Sequence, residues 1–118
     1  MSRILVVDDA AFIRMRCSKL LSEKGYEVVE AADGHEALQR YKERKPDGVL
    51  LDITMPEMDG ITTLQEIMKI DPAARVVMVT TTSQRSTVVS AMKAGARDFV
   101  VKPFDTDMVL DTVEKLIS

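Results

Sequence analysis

Five short apolar runs alternate with five longer stretches in which apolar residues recur at helical spacing. The runs cover residues 4–7, 27–31, 48–51, 75–79 and 98–101. The first, third and fourth are nearly continuous in Val, Ile, Leu and Met. Continuity of that kind predicts strands buried on both faces, as in a parallel sheet. Between the runs, Ile13, Cys17, Leu20 and Leu21 fall at i, i+4, i+7 and i+8. Ile61, Leu64, Ile67 and Met68 repeat the spacing, and Val109, Val113 and Leu116 do so in the last stretch. These are the stripes of helices with one face in a core. Gly25 and Gly95 stand where the first and fourth helices should stop, and Pro46 and Pro72 close the second and third. Asp33 with Glu36 three residues on has the form of a capping box, and Asp105 precedes the final helix.

Strand followed by helix, five times over, predicts an α/β fold: a single five-stranded parallel sheet, doubly wound as (βα)5 with right-handed crossovers. The five units do not resemble one another, so they form layers and not a solenoid. A length of 118 residues suits one domain spanning 1–118, with no linker and no output domain. The 46% hydrophobic and 30% charged content is that of a globular chain. A net charge of −3 argues against a general grip on nucleic-acid phosphates. Aromatics make up 4% of the chain and Trp is absent, which leaves little to stack on bases. The longest apolar stretches run to four or five residues, too short for a membrane span or a signal-peptide core. Cys17 is the only cysteine, so no internal disulfide forms, and cytoplasmic residence is the default expectation.

Ligands of an open parallel sheet bind beyond the carboxyl ends of its strands. There the first strand delivers Asp8 and Asp9, the third Asp52, the fourth Thr80, Thr81 and Thr82, and the fifth Lys102 and Pro103. If strands one and three flank the switch point, Asp8, Asp9 and Asp52 meet in one crevice. Three carboxylates repel one another, and a divalent cation removes the conflict. All-oxygen ligands select a hard ion, Mg²⁺ when a phosphate completes the shell, with Mn²⁺ as a substitute. Carboxylate, metal and ammonium together suit phosphoryl transfer, with Asp52 as nucleophile, Lys102 as a second positive charge and Thr80 as a donor to a phosphoryl oxygen. Singly, each has a plainer reading: an Asp as a turn residue, Lys102 as a solvated charge, Thr80 as strand propensity. Their conjunction on one rim is the functional signal. His35 reads as a surface residue, Cys17 as buried and inert, the methionines as core filler, and Phe99, from residue type alone, as core.

The segments Ile4-Leu5-Val6-Val7-Asp8-Asp9, Asp52-Ile53-Thr54-Met55-Pro56-Glu57-Met58-Asp59-Gly60, Val79-Thr80 and Lys102-Pro103-Phe104 stand in this order. The chain thereby resembles, over essentially its whole length, the receiver domain of two-component response regulators, the stand-alone chemotaxis members most of all. The resemblance implies a flavodoxin-like fold with strand order 2-1-3-4-5, an order taken from the family. It implies Asp52 as phosphoacceptor, with Mg²⁺ held by Asp9, Asp52 and the backbone carbonyl of Thr54, and with Asp8 acting through water. It implies that Lys102 pairs with the phosphoryl group, through a Lys102–Pro103 bond that is usually cis in relatives. Thr80 and Phe99 become the switch: Thr80 moves to the phosphoryl group and Phe99 swings inward. The implied partners are a histidine kinase (CheA-like), a motor-switch or other target, and a phosphatase, with no nucleic acid, no membrane and a monomeric chain. The target would meet the fourth helix, fifth strand and fifth helix, where Arg85, Ser86, Ser90, Lys93, Arg97 and Lys115 are candidate surface residues; an ordinary solvated surface explains them equally well.

Some positions depart from the family's common pattern. Phe99 stands where some chemotaxis relatives have tyrosine, so a hydrogen bond from the ring is lost. Thr81 is bulkier than the usual Ala or Gly and narrows entry. Thr54 and Thr82 are neither amide nor carboxylate, so neither orients an attacking water well, and slow self-dephosphorylation is expected. Alternatives remain open. An aspartyl phosphohydrolase of the haloacid-dehalogenase kind needs a second Asp where this chain has Thr54. A flavodoxin-like flavin or nucleotide binder needs a loop of backbone amides where this chain has two aspartates. A receiver belonging to a DNA-binding or other non-chemotaxis regulator would share all the motifs above.

Overall fold

A computed structural model of the chain describes residues 1–55, 58–81, 85–102 and 105–118, with the side chain of Arg85 also left aside. Pro56, Glu57, Thr82, Pro103 and Phe104, named above, therefore lie outside the described residues, as does the Lys102–Pro103 bond. The elements run β1 (Arg3–Val7), α1 (Ala11–Glu23), β2 (Glu27–Ala31), α2 (Gly34–Arg44), β3 (Gly48–Asp52), α3 (Gly60–Ile70), β4 (Val76–Thr80), α4 (Arg85–Lys93), β5 (Asp98–Val101) and α5 (Thr106–Ile117). All strand pairs are parallel and the order is β2-β1-β3-β4-β5. The expected doubly wound sheet and its order are both present.

The nearly continuous apolar runs became the central strands. Every residue of β3 and β4 is buried, and so are four of the five in β1, whereas β2 and β5 at the edges expose residues. Alternate side chains feed two cores. Leu5, Val7, Val49, Leu51, Val76 and Met78 pack with Ala37 and Tyr41 of α2, Leu64 and Ile67 of α3 and Ala91 of α4. Ile4, Val6, Leu50, Val77, Val79 and Val100 pack with Cys17 and Leu21 of α1 and with Val109, Val113 and Leu116 of α5. Helices thus cover both faces, which leaves the strand ends as the accessible edge.

The punctuation operates as expected. Asp33 accepts from the backbone N–H of Glu36 at 2.8 Å, and Glu36 reaches back to the N–H of Ala32 at 3.2 Å. Asp105 accepts from the N–H of Asp107 at 2.7 Å. Gly25 and Gly95 take φ of 91° and 116°, a region that suits glycine after a helix.

β3 ends on Asp52 and β4 on Thr80, the strand ends read from the sequence, and both are paired in the ladder, Asp52 with Val79 and Thr80 with Val101. Three expectations need correction. β4 begins at Val76, one residue after the start of its apolar run at Arg75. Met55 and Met78 are buried, but Met1, Met15, Met92 and Met108 are exposed, so core filling describes only some of the eight methionines. Phe99 is 37% exposed on the edge strand, so it is not a core residue.

Candidate functional site

Parallel pairing places the acidic residues side by side. Val7 of β1 lies opposite Leu51 of β3, so the next residues, Asp8 and Asp52, leave two adjacent central strands at the same level. Both are 4% exposed, while Asp9 faces out. Asp8, Asp9 and Asp52 each offer a carboxylate oxygen, all within 4.8 Å of one another. From β5, Lys102 puts its ammonium Nζ 2.6 Å from Oδ2 of Asp8 and 3.6 Å from Oδ2 of Asp52. The N–H of Lys102 donates to the Thr80 carbonyl at 2.6 Å, which ties the lysine's strand to the end of β4. Thr80 is fully buried.

Local bonds hold the carboxylates. Oδ1 of Asp8 accepts from the N–H of Ala10 at 2.9 Å. Oδ1 of Asp52 accepts from the N–H of Thr54 at 3.3 Å. Ile53, next after Asp52, is tied to α3: Gly60 donates its N–H to the Ile53 carbonyl at 2.7 Å, and Asp59 caps the helix by accepting from the N–H of Thr62 at 2.8 Å. The approach is so close that a Cβ on Gly60 would lie 2.2 Å from the Asp52 carbonyl oxygen.

Burial pushes the Asp52 carboxyl up from 3.8 to about 6, against the pull of Lys102, and Asp8 and Asp9 push the same way. A buried carboxylate beside two others, with one shared ammonium, is short of positive charge. Three oxygen donors at this spacing fit a hard divalent cation. Cys17 sits below on the α1 side, where burial raises its thiol to about 11 and keeps it protonated and unreactive.

Of the residues singled out from sequence, Asp8, Asp9, Asp52 and Lys102 converge, and Thr80 stands at the end of the next strand. Thr54 is exposed, and its N–H faces Asp52. Thr81 is exposed immediately after Thr80. Ser86, Ser90, Lys93, Arg97, Lys115 and His35 are all exposed. Two participants were missed. Gly60 could have been read from the Asp59-Gly60 pair, a capping residue followed by the one residue that permits close backbone approach. Arg14, which donates NH1 to the Asp8 carbonyl at 2.7 Å and Nε to Glu30 at 2.9 Å, has no local signal, because Glu30 lies sixteen residues on.

Residues 4–114 match the response regulator receiver domain. The chain is 53% identical over 117 residues to the chemotaxis protein CheY of Bacillus subtilis, with 98% of each covered. Among solved structures, Vibrio cholerae chemotaxis protein CheY4 superposes with a TM-score of 0.95 at 31% identity, covering 98% of each chain. CheY in the CheX-CheY-BeF3-Mg²⁺ complex from Borrelia burgdorferi gives 0.94 at 38% identity, covering 99% of this chain and 90% of that one. The chain belongs to the response regulator receiver family, and its relatives place it with the chemotaxis type. Receivers are signalling modules phosphorylated on an aspartate, not classical enzymes, and they bind Mg²⁺ at an acidic pocket. The Asp8, Asp9 and Asp52 trio is a pocket of that composition. No helix among the described residues is long and apolar enough to cross a membrane.

Proposed function

We propose that Asp52 is the phosphoacceptor and that the protein acts, as a single cytoplasmic receiver, in chemotaxis signalling from a histidine kinase to a motor switch. The observation that carries this is the position of Asp52: buried at the end of a central strand, 3.6 Å from an ammonium and next to two further carboxylates. A carboxylate oxygen of Asp52 attacks the phosphorus of a phosphohistidine. The new P–O bond forms as the P–N bond breaks, and the released imidazole takes a proton from water. Asp9, Asp52 and the carbonyl of Thr54 would hold Mg²⁺, with Asp8 behind them through water. The ion supplies charge neutralisation at the phosphoryl oxygens. Lys102, now closer to Asp8 than to Asp52, moves its ammonium to the phosphoryl group.

The hydroxyl of Thr80 then donates to a phosphoryl oxygen, and Phe99 turns inward into the space so released. The partial exposure of Phe99 on β5, beside the strand that carries Thr80, supports this reading. The target binds the α4–β5–α5 face, where Ser90, Lys93, Arg97 and Lys115 are exposed. A phosphatase partner of the CheX kind, as seen bound to the Borrelia protein, ends the signal.

The test is intact mass after incubation with Mg²⁺ and acetyl phosphate. One phosphoryl adduct is expected, absent with chelator and absent in Asp52→Asn. An adduct that persists in Asp52→Asn refutes the assignment. If the wild type gives none, the trial is repeated with phosphorylated kinase, and a second failure refutes phosphotransfer to this chain.

A further inference from the structure

We infer that Arg14, braced by Glu30, is a positioning residue for the metal site: it fixes the Asp8–Asp9 peptide and so aims the Asp9 carboxylate. The inference rests on the reading of Asp8, Asp9 and Asp52 as the metal site. Both side chains lie outside the acidic trio, on α1 and β2. Arg14 is largely buried, with 18% of its side chain exposed, and spends its guanidinium on two different groups. NH1 donates to the Asp8 carbonyl at 2.7 Å, and Nε donates to Oε1 of Glu30 at 2.9 Å. The other side of the same residue is also held, because the N–H of Asp8 donates to the Ala31 carbonyl at 3.2 Å. Glu30 and Ala31 are consecutive in β2, so the end of that strand grips Asp8 directly through Ala31 and indirectly, by way of Arg14, through Glu30.

The Asp8 carboxylate is already engaged by Lys102 and by the N–H of Ala10. What Arg14 adds is control of the Asp8 carbonyl. A peptide unit is planar, so fixing that oxygen fixes the N–H of Asp9 and the direction in which Asp9 leaves the strand. Asp9 is the exposed member of the trio, with the least packing to hold it. A ligand that is not held in place must be ordered when the ion binds, and partners outside the coordination shell commonly change metal affinity by ten- to a hundredfold.

Charge and positioning predict opposite signs, which makes the inference testable. A cation near a divalent-ion site opposes binding, so by Coulomb's law alone the loss of Arg14 tightens the ion. If Arg14 positions Asp9, its loss weakens the ion. Lysine keeps the charge but lacks the planar fork, so its single nitrogen does not hold the Asp8 carbonyl and the Glu30 carboxylate in the fixed geometry that NH1 and Nε give them.

Mn²⁺ binding, read directly by the loss of the free-ion electron paramagnetic resonance signal, needs no phosphotransfer. Arg14→Gln and Arg14→Lys are each expected to raise the Mn²⁺ Kd by about tenfold. Glu30→Gln, at an exposed position, is expected to raise it by less, about threefold, and decides the matter if the Arg14 variants do not fold in chelator. The control is Arg3→Gln. Arg3 pairs with Glu27 at 2.8 Å and also donates to a carbonyl, that of Arg44, but at the opposite end of β1. Its loss leaves Mn²⁺ affinity unchanged. Unchanged or tighter binding in the Arg14 variants overturns the inference, and so does equal weakening in Arg3→Gln. Failure of the wild type to bind Mn²⁺, or binding indifferent to Asp9→Asn, refutes the metal reading beneath it.

Discussion

Replacing Asp52 by Asn is expected to stabilise the metal-free protein at neutral pH, and the gain is expected to vanish in acid. In the folded protein the Asp52 carboxyl titrates at about 6, against an ordinary 3.8, chiefly because it is buried. Below pH 3.8 the group is protonated in both folded and unfolded chains and costs nothing. Between the two values the folded chain keeps a proton that the unfolded chain has released, so stability falls as pH rises. Above about 6 the carboxylate is charged in both states and the full cost is present. The two values lie about two pH units apart, and at about 1.4 kcal/mol per unit the cost is about 3 kcal/mol. That is a large part of the 5–15 kcal/mol typical of a domain. An amide of the same shape cannot ionise and escapes this cost.

The assay is urea unfolding of wild type and Asp52→Asn in chelator, at intervals from pH 4 to pH 8. The quantity to follow is the difference between the two proteins, because whatever the amide gains or loses in packing is the same at every pH. That difference is expected to move in favour of Asn by about 2–3 kcal/mol between pH 4 and pH 8, with most of the change centred between pH 4 and 6. Millimolar Mg²⁺ at pH 8 is expected to close the gap by stabilising the wild type alone. A difference that is flat with pH, or that grows on acidification, would refute the account of Asp52 as an under-compensated buried carboxylate.

Three further outcomes follow from the same geometry. Gly60→Ala would put a methyl group 2.2 Å from the Asp52 carbonyl oxygen and 2.6 Å from Cα of Ile53, both backbone atoms that cannot rotate away; a loss of about 2–4 kcal/mol is expected in urea unfolding. Lys102→Met leaves Asp8 and Asp52 adjacent without their ammonium, which should cost about 3 kcal/mol at pH 8, largely recovered by Mg²⁺ or at pH 5. Thr54→Asn places an amide where water must attack the aspartyl phosphate and is expected to shorten its half-life on the order of tenfold, or about 1.4 kcal/mol of barrier, as followed by loss of the phosphoryl mass; a wild-type half-life already matching the fastest receivers would contradict slow self-dephosphorylation.

The central sheet was legible because complete burial leaves a complete apolar run: β1, β3 and β4 are the three continuous runs. The residue types of the site were legible for the related reason that strand ends supply the rim. Asp52 and Thr80 interrupt the apolar runs, yet both end their strands as the rim reading placed them and remain paired in the ladder. Backbone pairing does not depend on side-chain polarity, and a buried polar residue at a strand end is held more rigidly than one in a loop. The methionines misled because the thioether suits core and surface alike: Met78 is fully buried, whereas Met15 is 62% exposed. Arg14 and Glu30 were missed because their meeting depends on how the α1 side chains face the end of β2, which no local spacing shows even when the strand order is expected.

The partner of Lys102 was the least expected feature, and it bears on how the switch is loaded. The family resemblance implies that this lysine pairs with a phosphoryl group on Asp52, whereas here it bonds Asp8 at 2.6 Å and stands 3.6 Å from Asp52. One ammonium therefore serves two buried carboxylates unequally, and Asp52 receives the smaller share. The carboxyl so disfavoured as an anion is the one proposed to attack phosphorus, and its basicity, raised to about 6, goes with a stronger nucleophile. In the proposed transfer the phosphoryl oxygens compete with the Asp8 carboxylate for this ammonium. The N–H of Lys102 donates to the carbonyl of Thr80, so the backbone of the lysine is tied to the end of β4. The charge imbalance that costs stability in the unphosphorylated protein thus lies beside the proposed switch residue Thr80.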